Sequence, residues 1–340
     1  MTTLTTPSTD HSTARRAPGA DGLVWTVLRL HRTALWVWTA YIVITTGLLL
    51  WLWGPGADAA QKAFDAFGYS GAQENSYHDG FSFLGFGGSF DARFYGPSSL
   101  ISLASCAIAV FAAGPLIARE LERGTATLAW TQSVSPARWL TAKLAVPAVL
   151  VAVGTGLLVV LYRLVWNAHN HLLVAGIGPR SFAFSLGPAT VASALFGLAV
   201  GVLAALVLRR TLPAILAAGV VQFLAGAMRG NNWPFQHSPF SRLQPELPVY
   251  SKAITSSGAR ISDPGCYLSQ KCLDRHHVTG FTRTYLPSPD YWPRQLAETG
   301  VLLGLTALAV VAAFLFLRRY QPKTSKNPKS LNSLKKGASA

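Results

Sequence analysis

PATVASALFGLAVGVLAALVL, residues 188–208, and TLPAILAAGVVQFLAGAM, residues 211–228, are separated only by Arg209 and Arg210. Neither run contains an Asp, Glu, Lys or Arg. A helix needs about 20 mostly apolar residues to cross the hydrocarbon core of a bilayer. The two runs therefore read as consecutive spans, and RRT at residues 209–211 reads as a tight turn at one membrane surface. Four further stretches have the same character: ALWVWTAYIVITTGLLLWLW at 34–53, SSLISLASCAIAVFAAGPLI at 98–117, LAVPAVLVAVGTGLLVVLY at 144–162 and LAETGVLLGLTALAVVAAFLFL at 296–317. The implied fold class is an all-α integral membrane protein with six transmembrane helices.

The composition agrees. Half of the 340 residues are apolar and 13% are charged, where an ordinary soluble domain carries roughly 25% charge. Trp36 and Trp38 open the first span and Trp51 and Trp53 close it. At ~1.5 Å per residue these pairs stand roughly 22 Å apart, a spacing suited to two interfacial aromatic belts. The formal charge of +15 would suggest nucleic acid on a soluble chain, but here it follows the span ends. Arg15, Arg16, Arg29, Arg32, Arg119, Arg123, Arg138, Lys143, Arg209, Arg210, Arg318 and Arg319 fall on one side, with the lysine-rich tail. The first two segments on the other side hold only Lys62, Arg93, Arg163 and Arg180. The third, Arg229 to Gln295, holds eight basic residues, but it is long, and long translocated loops count little in setting orientation. The positive-inside rule then places both termini in the cytoplasm of a cell membrane, with no nucleic-acid partner.

Residues 1–22 read as a disordered cytoplasmic tail with no apolar signal-peptide core. Residues 23–320 form the six-helix domain, and residues 321–340 form a basic tail suited to anchoring the topology or touching anionic lipid. Ahead of the first span, Leu23, Val27 and Leu30 share a helical face. That suits a helix lying in the membrane interface or an early extension of the first span. Residues 229–295 form a long extracellular loop. Cys266 and Cys272 lie within it, in a compartment that permits a disulfide stapling the loop. Cys106 sits in an apolar run and reads as a core residue.

No phosphate-cradling G-x-x-x-x-G-K-[ST] motif occurs, nor H-E-x-x-H, nor G-x-S-x-G, so the chain has no nucleotide-binding loop of that kind and lacks two common hydrolase signatures. No catalytic, metal or cofactor residues are assigned, and the chain reads as a transport subunit, not an enzyme. His169 and His171 in one outer loop, and His276 and His277 in another, lack further ligands for a metal. The spans contain almost no ionisable residue, which argues against a proton-coupled transporter. Glu298 lies near the outer end of the sixth span, within reach of the interface. Gln222 is the polar, non-hydroxyl side chain at depth, suited to an interhelical hydrogen bond or to a contact on a substrate path. GLAVG at 197–201 is a small-xxx-small face for close packing within the chain or between two chains.

The most charged short segment, ARELERGTATLAWTQSVSPARW at 118–139, lies between the second and third spans. Gly124 ends a short helical extension, and Thr125 is suited to cap a second helix. Residues 126–132 then form that helix, of about two turns, and Ser135-Pro136 supplies a cap and a first-turn proline for the third span. Leu128, Trp130 and Val134 on so short an element suggest a surface for a partner.

This segment resembles a known family. The arrangement R-E-x-E-x-G-T, here Arg119, Glu120, Glu122, Gly124 and Thr125, is similar to permease subunits of ABC transporters of the type-2 exporter class, especially actinobacterial ones. The resemblance extends to LRRTLPA at 208–214 and YLPSPDYWPRQLAETG at 285–300, and covers most of residues 23–320. It implies an interfacial helix before the first span, short re-entrant helices between the fifth and sixth, and a coupling helix in the first cytoplasmic loop that sits in a groove of a separate ATPase. Residues 126–132 would be that helix. Arg119, Glu120, Glu122, Arg123, Gly124, Thr125, Leu128 and Trp130 would form the ATPase-coupling set. The expected partners are the bilayer, the ATPase that binds ATP, and a second permease in a homodimer or heterodimer. The expected cargo is amphipathic or lipidic: a drug, peptide or lipid-like molecule. The alternative from another class is a membrane-embedded signalling or interaction protein with an extracellular sensing loop.

Overall fold

The computed structural model describes residues 20–66, 90–131, 134–173, 182–231, 241–243, 252–261, 264, 270–284 and 288–319. The two tails at 1–19 and 320–340, Gln132 and Cys266 lie outside the described residues. Among the described residues, six helices are long and apolar enough to cross a membrane: Arg32–Lys62, Arg93–Glu122, Pro136–Leu172, Pro188–Leu208, Thr211–Arg229 and Tyr291–Arg319.

The hub is α8, Pro188–Leu208, whose ends coincide with the apolar run. Gly187 precedes Pro188 in extended conformation, and Pro188 opens the first turn, where its missing N–H costs nothing. The helix stops where Arg209 turns left-handed, with φ of 56°. Two-thirds of its apolar stretch is buried (67%), against 17% for the first and fifth spans. It packs on α4 (Phe90–Phe111), α7 (Pro136–His169), α9 (Thr211–Asn231) and α11 (Ser288–Arg319).

The GLAVG face resolves to packing within the chain. A Cβ at Gly197 would lie 2.5 Å from the carbonyl oxygen of Ser105, and one at Gly201 would lie 2.4 Å from that of Ala109. The two glycines let α8 approach the backbone of the second span. Gln222 on α9 meets α8 beside Gly197: its Nε2 donates to the Ser193 hydroxyl at 3.1 Å, and the residue is 4% exposed.

Two spans run beyond the apolar stretches because their prolines do not end them. α2, Arg32–Trp51, continues through a wide turn at Leu52–Gly56 that contains Pro55, and on into α3, Ala57–Ala66. The second span passes through a similar wide turn at Ala112–Ala118, containing Pro115, into α5, Arg119–Glu122. Widening the turn makes room for the proline ring against the preceding carbonyls, where proline has no N–H to donate.

Ahead of α2, α1 (Ala20–Leu30) is a separate helix broken from it at His31, where φ is −104° and ψ is 25°. It packs on α7 as well as α2. One apolar core surrounds α8 and reaches the end of the bundle that carries Arg119 and Arg209. A second, at the far end, is aromatic: Phe94 packs against Tyr162, Trp166 and Phe182 with ring centroids 5.1–5.9 Å apart.

The long loop after α9 contains strands. Among the described residues a four-stranded antiparallel sheet has the order β1-β4-β2-β3: Ser241–Leu243, Val278–Thr284, Lys252–Thr255 and Arg260–Ile261. Ala253 pairs with Phe281 on one side and Ile261 on the other. Its side chain is buried against Ile261, Leu273 and Val278, so a small core joins the sheet to α10, Gln270–Arg275. Cys272 on that helix is disulfide-bonded, and Cys106 is free.

The re-entrant helices implied by the resemblance are absent among the described residues between the fifth and sixth spans. SPDYWPRQ instead forms the first turns of the continuous helix α11. It is held there because Gln295 donates to the carbonyl of Ala183 at 3.0 Å and Arg163 stacks over Trp292 at 4.0 Å. Glu298, expected to reach the interface, is 6% exposed and forms an ion pair with Arg229, so α9 and α11 are tied at the far end. Glu298 is thus neutralised by a partner from another span.

Candidate functional site

The segment between the second and third spans folds as a short crosswise helix with a defined break on each side. After α5 the chain turns at Gly124, whose φ is +73°. A Cβ there would meet nothing closer than 3.7 Å, so backbone conformation, not space, requires glycine. The Gly124 carbonyl accepts the first helical bond, from Leu128 N–H at 3.3 Å. Helix α6 therefore runs Thr125–Thr131, one residue ahead of the expected start. Thr125, expected to cap this helix, is instead its first residue, because the left-handed Gly124 already takes the cap position, and the Thr125 hydroxyl donates back to the carbonyl of Glu120 at 3.3 Å. On the other side, Ser135 caps α7 by accepting from Arg138 N–H at 3.3 Å, with Pro136 in the first turn, as its residue types imply.

The apolar side chains of α6 do not share one face. Leu128 is 60% exposed, whereas Trp130 turns inward, its ring 5.6 Å from Trp139 and edge-on to it. Residues two apart on a helix differ by about 200° around the axis, so the surface expected from Leu128, Trp130 and Val134 together cannot form. Val134 also packs on the core. The outward face consists of Leu128 with Thr127 and Thr131.

The acids of R-E-x-E-x-G-T seat this helix. Glu120 accepts from the ammonium of Lys143 on α7, and that ammonium also bonds His31 Nε2 at 2.9 Å. Lys143 is 3% exposed. Glu122 accepts from the backbone N–H of Thr211 at 3.0 Å and from the Thr211 hydroxyl. A carboxylate at the N-terminus of α9 satisfies a free helix donor and opposes the positive end of the helix dipole. The segments 119–125 and 208–214, far apart in sequence, thus meet. Glu120 and Glu122 bind within the chain, while Arg119 and Arg123 remain exposed.

His31 reports on this seat. Burial, and then the neighbouring Lys143 charge, lower its pKa from 6.5 to about 4. Lys143, Glu120 and Arg119 surround it in the same pocket. A detached imidazole takes up a proton below pH 6.5, and the docked one does so only near 4. Docking of the α1–α2 junction therefore weakens as pH falls from 6.5 towards 4 and gains nothing above 6.5. Thermal unfolding followed from pH 8 to 4 should show that slope, and His31→Gln should flatten it.

An apolar cavity of about 590 Å³ opens between the α1–α2 junction, α4 and α7. Gln222, a candidate substrate contact from its depth in the fifth span, does not line it and faces α8 instead. No group of three or more His, Cys, Asp or Glu side chains able to hold a metal is found among the described residues.

The model of the ABC-2 membrane transporter related family matches residues 40–230. The chain belongs to that family. The match begins inside α2 and ends inside α9, so it takes in α5, α6 and their anchors. No curated protein matches the chain. The chain is thus a multi-pass membrane protein of the ABC-2 permease type, a transport subunit of a class that works with an ABC ATPase.

Proposed function

We propose that this permease moves an amphipathic or lipidic substrate out of the cell, driven by a separate ATPase that docks on α6. The observation that carries the reading is the construction of α6. A left-handed glycine and a Ser-Pro cap isolate a seven-residue helix. Two carboxylates fix its base to α7 and α9, and it leaves an exposed leucine facing out.

A push on such an element reaches the third and fifth spans directly through Lys143 and Thr211. The ATPase would hold ATP and contact Leu128 and the outward threonines, with both termini and α6 in the cytoplasm of a plasma-membrane protein. Two permeases, identical or homologous, would enclose the path. ATP binding favours one arrangement of the pair over the other, and that difference in affinity is the driving free energy.

The test is co-purification with a P-loop ATPase encoded beside the gene. Leu128→Asp should reduce recovery of the ATPase at least about tenfold. Thermal stability should change by no more than about 0.5 kcal/mol, as for other surface substitutions. Undiminished recovery with Leu128→Asp, or labelling of an Arg123→Cys variant from outside the cell, would sink the reading.

A further inference from the structure

A second cavity, of about 720 Å³, adjoins the apolar one at the arginine end. Val27, Thr33, Phe111, Pro115 and Arg119 line both, so the two are continuous. Their chemistry differs. The first is walled by side chains such as Trp38, Leu103, Ala107 and Leu150. The second holds three cations, Arg119, Arg123 and Lys143, against one carboxylate, Glu120. Lys143 already neutralises Glu120, and His31 meets the Lys143 ammonium as a neutral acceptor. Arg119 and Arg123 form no salt bridge among the described residues, although Arg123 lies in the field of Glu122. Arg119 stands where the apolar groove becomes the charged pocket, in the last turn of the span Arg93–Glu122, the depth at which headgroups lie.

We propose that the joined cavities bind one anionic phospholipid, with an acyl chain in the groove between α2, α4 and α7 and the phosphate on Arg119 and Arg123. A groove on the side of membrane spans is filled by acyl chains unless protein covers it. A surplus of guanidinium at its mouth selects the anionic headgroup, because guanidinium matches phosphate oxygens in a bidentate fork. Basic pockets between spans are known to hold anionic headgroups in this way. Each cavity alone, at about 590 and about 720 Å³, is as large as a typical small-molecule site of roughly 300–1,000 Å³, so the two together have room for a headgroup and an acyl chain. Ala129 and Thr125 of α6 also line the headgroup pocket, so a bound lipid braces α6 against α1. The proposal goes beyond transport, and it stands whether or not an ATPase docks on α6.

The test uses the full-length permease in detergent. Phosphatidylglycerol, phosphatidylcholine and inorganic phosphate are each titrated, bound lipid is counted by native mass spectrometry, and thermal unfolding is followed. Phosphatidylglycerol should bind at least about tenfold tighter than phosphatidylcholine, a difference of about 1.4 kcal/mol that the charged contacts supply. Inorganic phosphate, which leaves the groove empty, should give no protection at the same concentration. R119Q/R123Q should abolish the preference, and R119K/R123K should keep part of it. Ala107→Trp should block both lipids at an unchanged unliganded melting temperature, because Ala107 is exposed in the groove. Equal affinity for the two lipids, protection by inorganic phosphate alone, or binding that survives Ala107→Trp would each overturn the proposal. ATPase co-purification, read in parallel, separates this outcome from failure of the docking reading.

Discussion

Glu120→Ala lowers the stability of the purified permease by about 3–5 kcal/mol, the cost of stranding a buried charge. An exposed pair would give about 0–1 kcal/mol, so burial decides which figure applies. The side chains of Lys143 and Glu120 are 4% and 16% exposed. Once Glu120 is removed, the ammonium retains only the neutral ring of His31 as a partner. Glu120→Gln, which keeps an acceptor without the charge, should fall between alanine and wild type. Lys143→Met should cost less than Glu120→Ala, since Glu120 is the more exposed partner. The double variant Glu120→Leu with Lys143→Met should recover most of the loss, because an apolar pair of similar volume removes the desolvation penalty of both ions. Thermal unfolding of the wild type, Glu120→Leu, Lys143→Met and the double variant gives the coupling energy of the pair. If each single change moves stability by less than about 0.5 kcal/mol, the pair is solvated and α6 is not seated on α7 through a buried ion pair.

The same pair marks where the sequence was legible and where it was not. α8 was legible to the residue, since an uninterrupted apolar run opens at a proline and closes at paired arginines. The caps at Gly124 and Ser135 were also legible, because both act through local backbone geometry. The first span was cut short at residue 53 because Gly54-Pro55-Gly56 signals a helix end. The chain instead continues through a wide turn, which depends on how neighbouring segments pack.

The contacts Glu120 to Lys143 and Glu122 to Thr211 join residues 23 and 89 apart in the chain. Both acids were assigned to an outside partner because no local rule connects distant positions. Leu128 and Trp130 are different: helical periodicity alone separates their faces. The sheet in the long loop also had a signal. KAITSSGARI sets β-branched residues on either side of a Gly-containing turn, and Gly258 adopts φ of +78° there. What that stretch could not supply was the partner β4, which lies beyond α10 in the chain.

Gly201→Leu should abolish the folded permease, or leave a protein destabilised by more than about 3 kcal/mol, at or above the upper end of the range for overpacked cores. The obstruction begins with the first added atom. A Cβ at Gly201 would stand 2.4 Å from the carbonyl oxygen of Ala109, 2.7 Å from the Cβ of Ala112 and 2.9 Å from the amide nitrogen of Ala113. Two of those are backbone atoms of the second span, so no rotamer change relieves the contact and the helices must move apart. Ala109, Ala112 and Ala113 are each 0% exposed, so separation would open the core around the hub helix. Gly201→Ala should therefore already cost about 1–3 kcal/mol. Gly304 on α11 supplies the contrast, because a Cβ there would meet nothing within 4 Å. Gly304→Ala should be neutral or stabilising by up to about 1 kcal/mol, the helix-propensity gain over glycine. One substitution thus takes opposite signs at two helical glycines, and melting temperatures in detergent would read both. A folded Gly201→Leu protein of unchanged melting temperature would move the α4–α8 contact out of the core.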